Sequence, residues 1–124
     1  MKNNRDNEIL ERIINYCNEI GEANSQFGNN FEILDSKSVY KNSVAMCILQ
    51  IGELTTHLSE EFKVKYNEMP WRDIKDMRNI VVHKYGALDT EILWDTMEND
   101  IPNLREYCEK IFESVVEEWK MQTN

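Results

Sequence analysis

A chain of 124 residues is one domain's length, enough for a single modest core and no second one. Apolar residues at 41% and charged residues at 30% describe a globular protein rather than a disordered one. The 14 Lys and Arg against 23 Asp and Glu leave a net charge of −9, which argues against general duplex binding, because that draws its affinity from a basic face displacing counterions.

The N-terminus, Met-Lys-Asn-Asn-Arg-Asp-Asn-Glu, lacks the apolar centre of a signal peptide. No apolar run approaches the ~20 residues needed to span a bilayer, so a cytoplasmic protein with no membrane contact is expected. A first helix is predicted from about Asp6 to Ala23, where Ile9, Ile13, Tyr16, Cys17 and Ile20 recur at helical spacing. Two glycines and an Asn-Asn pair in "GEANSQFGNNFEILDS" predict a loop. Asp35 or Ser36 is the candidate cap of a second helix running to about Ser59, with Tyr40, Val44, Cys47, Ile48, Ile51, Leu54 and Leu58 on its core face. "EEFKVKYNEMP" is either the frayed end of that helix or a short helix of its own, stopped by Pro70. A third helix starts near Trp71 or Arg72 and ends around Tyr85 and Gly86, where glycine suits a C-terminal cap. Asp89 or Thr90 starts the last segment, whose stripe runs from Ile92, Leu93 and Met97 through Ile101, Leu104, Cys108, Ile111 and Val115 to Trp119. Pro102 either kinks this helix or sits in the first turn of a new one capped by Asn99 or Asp100. Long amphipathic helices with short connections imply an all-α fold, an antiparallel four- to five-helix bundle, as a single domain over residues 1–124.

The third helix carries the chemistry. With Trp71 at zero on a helical wheel, Ile74, Met77, Val81 and Val82 fall between about 240° and 20°, the arc that faces the core. Asn79 and His83 lie one turn apart on the other side and can act on one atom. Ile80 is apolar outside the core arc and suggests a second buried surface, such as a partner subunit. Arg78 falls within the apolar stripe, where a guanidinium needs a partner. It either pairs with a carboxylate such as Glu53 on the second helix, or reaches along the helix edge into a cleft shared with His83. Four Lys and Arg (Arg72, Lys75, Arg78, Lys84) against Asp73 and Asp76 make residues 72–85 a basic island of +2, enough for a few phosphates of a single strand.

These residue types suit cleavage of an RNA phosphodiester without a metal. The reaction needs a base for the 2′-hydroxyl, an acid for the leaving 5′-oxygen, and cover for phosphorane charge. Histidine can serve either proton step near neutral pH. Arginine holds phosphate oxygens bidentately and stays charged throughout. One histidine does not easily do both proton transfers, which favours two copies of the motif meeting across a twofold axis.

Arg78-Asn79-Ile80-Val81-Val82-His83-Lys84-Tyr85 resembles the Arg-x4-His-x-Tyr motif of HEPN-fold proteins, in the form found in HepT-like toxins. "IGELTTHLSEEF", "MPWRDIKDMRN" and "LWDTMENDIPNL" are similar to the flanking segments of that family, so the resemblance covers about residues 35–111. It implies an all-α homodimer with both motifs at the interface, endoribonuclease activity on single-stranded RNA without metal or cofactor, and a toxin role. It also implies a partner, a nucleotidyltransferase antitoxin of the MntA type that transfers AMP to the motif tyrosine. By that resemblance Arg78 and His83 are catalytic, Asn79 assists, Tyr85 is the AMPylation site, and Glu53 and Lys84 are supporting candidates. The rival reading is a non-catalytic nucleotide-binding or docking subunit of a nucleotidyltransferase.

Other residues have plainer explanations. Cys17, Cys47 and Cys108 are far apart and odd in number, and each sits in an apolar stripe; buried free thiols are expected rather than disulfides or a zinc site. His57, one turn from Glu53 and sharing a face with Gln50, is expected to make a structural hydrogen bond. Trp71, Trp94 and Trp119 are expected as core or interface anchors, and Glu113, Glu117 and Glu118 as a solvated face.

Overall fold

The computed structural model describes residues 4–82 and 88–123. The helices are α1 (Asn4–Phe27), α2 (Phe31–Ser36), α3 (Ser38–Thr55), α4 (Glu60–Lys65), α5 (Trp71–Asp76), α6 (Arg78–Val82), α7 (Thr90–Asp95) and α8 (Ile101–Thr123). A π-helical turn, Thr96–Asp100, joins α7 to α8 without a break. Four rods therefore make the bundle: α1, α3, the bent pair α5–α6, and the continuous α7–α8. The short α2 and α4 close its corners. Among the described residues there is no strand, and the all-α fold expected from the helical periodicity is the fold found.

Helix α1 packs against α3 and α8, and α3 packs in turn against α5 and α6. Leu10 and Ile13 of α1, Ile48 and Ile51 of α3, and Leu104 and Cys108 of α8 are fully buried where these rods meet. The expected core faces hold, with two exceptions at the ends of the last stripe: Ile92 and Trp119 are exposed. Trp119, 52% exposed, is thus no core anchor. Trp71 is buried and its indole donates to the Tyr66 carbonyl at 2.9 Å.

The segment expected as a loop is largely helical. The apolar series of α1 continues from Ile20 through Ala23 to Phe27, whose ring stacks on Tyr40 at 4.6 Å. The break comes at Gly28 and Asn29, with φ of 77° and 49°, and the Asn29 amide closes the helix end on the Asn24 carbonyl. Asn30 then caps α2 by accepting from the Ile33 amide at 3.1 Å. Asp35 and Ser36 do not cap α3; Asp35 accepts instead from the Thr90 hydroxyl, tying α2 to α7. Asp89 caps α7 as expected, accepting from the amides of Glu91 and Ile92.

Pro102 sits in the first turn of α8, one of the two expected placements, but Asn99 and Asp100 belong to the π-helical turn and do not cap a new start. It lies in the second position of α8, where its missing N–H leaves the Glu98 carbonyl without its usual α-helical donor. The π-helical turn takes up the mismatch, with the Ile101 amide bonding five residues back to Thr96.

Candidate functional site

The expected third helix is two helices. At Met77 the amide is shared between the carbonyls of Asp73 and Ile74, and Ile80 bonds three residues back to Met77, so the rod tightens and bends. Ile74, Met77 and Val81 still face the core, Asn79 is exposed, and Ile80 is partly covered. The bend lies against Gly52 in the last turn of α3. A β-carbon there would stand 2.8 Å from Arg78 Cβ and 3.0 Å from the Lys75 carbonyl oxygen. Only glycine allows this approach. Gly52 figures in the sequence only as the Gly-Glu of the family-like segment IGELTTHLSEEF, with no packing role expected of it, although glycine in a buried helix interior costs about 1 kcal/mol against alanine and so signals a packing reason.

The close approach places the next residue of α3 beside Arg78. Arg78 Nη1 donates to Glu53 Oε1 at 2.7 Å, the pairing that the first sequence reading expected. The pair is not sealed, since the side chains of Arg78 and Glu53 are 35% and 46% exposed. One edge of the guanidinium is held and the rest stays open to solvent, a geometry that fixes a cation while leaving N–H donors for an anion. Asn79 stands exposed on the next position. His83, Lys84 and Tyr85 lie outside the described residues, as does the Gly86 cap.

Along α3 the pair continues into a mixed face. Met46 and Val39 are 50% and 73% exposed on the same helix, and the Gln50 amide donates to the Met46 sulfur at 3.9 Å. His57 falls just past the end of α3 and is exposed; its imidazole makes no hydrogen bond among the described residues, contrary to the structural bond expected of it. The three cysteines are buried and free. Burial pushes the Cys17 and Cys47 thiols from an ordinary 9.0 to about 12, and Cys108 upward too, so all three are held as inert protonated thiols. Among the described residues no group of three His, Cys, Asp or Glu is placed to hold a metal ion, and no helix is long and apolar enough to cross a membrane.

A helical bundle with a partly exposed arginine clamped to the neighbouring helix, five residues ahead of a histidine in sequence, fits a HEPN-type protein. The family model described as "Ribonuclease HepT-like" matches residues 7–111. The chain belongs to the HepT-like ribonuclease family. It is 34% identical over 109 residues to "Gamma-glutamylcyclotransferase and putative RNase MJ0434" of Methanocaldococcus jannaschii, covering 88% of this chain and 46% of that longer protein. It is 27% identical to "Putative RNase MJ1380" of the same organism, covering 82% of this chain and 91% of the relative. It is 38% identical over 61 residues to "Probable ribonuclease HepT" of Thermococcus cleftensis, covering 49% and 56% of the two chains. No solved structure matches.

Proposed function

We propose that the protein is the toxin of a HepT/MntA-like pair, a metal-independent endoribonuclease acting on single-stranded RNA in the cytoplasm. The observation that carries this reading is the Glu53-held, solvent-reachable guanidinium of Arg78, set by Gly52 on the helix that leads into His83. In the proposed reaction a base removes the 2′-hydroxyl proton, the 2′-oxygen bonds to phosphorus, and the bond from phosphorus to the 5′-oxygen breaks as that oxygen takes a proton. The products are a 2′,3′-cyclic phosphate and a 5′-hydroxyl. His83 exchanges one of these protons, and the His83 of a second copy the other. The free edge of Arg78 receives the phosphorane oxygens, with Asn79 and Lys84 contacting the strand. Two copies would meet over the exposed α3 face and Ile80, which gives that apolar surface its cover.

The antitoxin partner would be a nucleotidyltransferase that adds AMP to the Tyr85 hydroxyl. A phosphate and a nucleoside two residues from His83 add bulk and negative charge where RNA must enter. Purified protein incubated with a labelled single-stranded RNA and chelator should yield cyclic-phosphate ends, and His83→Ala should abolish them with an unchanged melting temperature. Tyr85→Phe should cut at the parent rate and escape the co-expressed partner. Complex formation with a nucleotidyltransferase but no new RNA ends would instead establish a docking subunit.

A further inference from the structure

The seam between α1 and α8 holds a groove of about 260 Å³. Ile14 and Phe112 are its apolar lining; Glu11 and Asn15 rim it on α1, and Glu109 and Glu113 on α8. Ile14 belongs to the core, whereas Phe112 is only partly covered. The apolar line runs on along α8. Phe112, Val115 and Trp119 stand at i, i+3 and i+7, within about 60° of one another around the helix. Val115 is half-buried, and Trp119 ends the line 52% exposed. The groove is small for a drug-sized molecule but has room for an apolar side chain. A half-exposed indole at the end of such a line is the residue type that most often anchors a protein interface.

The rims decide what fits. Glu109 pairs with Arg105 at 3.4 Å, but Glu11 and Glu113 are exposed and make no ion pair among the described residues. The apolar line is thus edged by unmatched negative charge on both helices. RNA and anionic lipid are repelled by such rims. A second copy brings the same glutamates to the contact, and like charges face to face are costly. A cationic segment with an apolar stripe of its own matches both features, and the i, i+3, i+7 spacing on α8 is that of a surface which receives a helix.

We propose that the α1–α8 seam docks a basic amphipathic helix of a partner protein. One apolar side chain of that helix sits between Ile14 and Phe112, its next turn lies on Trp119, and its Lys or Arg side chains reach Glu11 and Glu113. The seam belongs to α1 and α8, whereas Arg78 stands where α6 meets α3, so docking and RNA cleavage use different residues.

The test titrates the purified protein with a synthetic helical peptide of leucine and lysine whose leucines recur at i, i+3, i+4 and i+7. A second peptide of the same composition spreads its leucines evenly around the helix. Calorimetry gives affinity and the Ile14 methyl resonance gives location. The first peptide should shift Ile14 saturably and bind about tenfold more tightly than the second. Glu113→Lys should weaken it about tenfold, and Trp119→Ala, which removes an exposed side chain and leaves the core intact, should weaken it as well. Glu32→Lys makes the same charge change on α2, outside the groove, and should leave affinity unchanged. No Ile14 shift, equal affinity for the two peptides, or equal weakening by Glu113→Lys and Glu32→Lys overturns the proposal by showing only diffuse attraction to an acidic protein. Ile14 shifts produced by protein concentration alone, or by single-stranded RNA, overturn it too, by giving the seam to a second copy or to substrate. None of these outcomes depends on whether the protein cleaves RNA.

Discussion

Arg78 reaches the surface of the bundle because the residue facing it has no side chain. Gly52 lets the α5–α6 bend close onto α3, and that closeness, rather than any long reach of the arginine, brings the guanidinium to 2.7 Å from Glu53. The half-exposed pair is worth little to stability by itself, since solvent screens it. Its value is orientation. Gly52→Ala should therefore harm function through packing: the new β-carbon forces α6 outward, costing about 1–3 kcal/mol by overpacking. A thermal melt should show a fall of several degrees, and RNA cleavage measured well below the melting temperature should fall further. Full cleavage by the alanine variant would show that the approach of the two helices does not set the site.

Among the elements, the short α4 depends on a residue more than fifty positions away. Asp6, 3% exposed, accepts from both the Ser59 amide at 2.8 Å and the Ser59 hydroxyl at 2.6 Å, and Ser59 in turn accepts from the Phe62 amide to cap α4. This relay fixes the corner after α3, beside exposed His57. Asp6→Ala strands the Ser59 donors and should cost about 1–3 kcal/mol, read as a lower urea midpoint at unchanged slope. An unchanged midpoint would mean that water replaces the carboxylate without loss. The π-helical turn shows the opposite economy: one proline removes one donor, and the rod absorbs it locally while remaining continuous from Thr90 to Thr123.

For the whole molecule, the open question of cover falls on α3. Its exposed Val39 and Met46, with Glu53 between them and α6, make a face no other part of the described chain covers. If a second copy covers it, Met46→Glu should shift the protein from dimer to monomer in sedimentation and depress cleavage in proportion, because a buried unpaired carboxylate is costly at an interface. A dimer indifferent to that substitution would move the interface elsewhere. The net charge of −9 bears on the same scale: under the proposed function RNA is held by the basic island of residues 72–85, so its affinity should fall with salt only gently.

Periodicity alone determined that this chain is helical and which residues fill much of its core, because burial of Ile, Leu and Val every third or fourth position depends on helix geometry and little else. The motif was legible by its resemblance to a family pattern, and Glu53 as one of two expected settings for Arg78, because a cation in an apolar stripe needs an anion on the neighbouring helix or an opening into a cleft. What periodicity could not supply was distance between helices. The role of Gly52, the bend at Met77, the Asp6 cap and the groove between Ile14 and Phe112 all arise where two rods meet, and sequence spacing carries no term for that contact. Only the packed tertiary structure decides how near α6 comes to α3, and that nearness decides where the guanidinium stands.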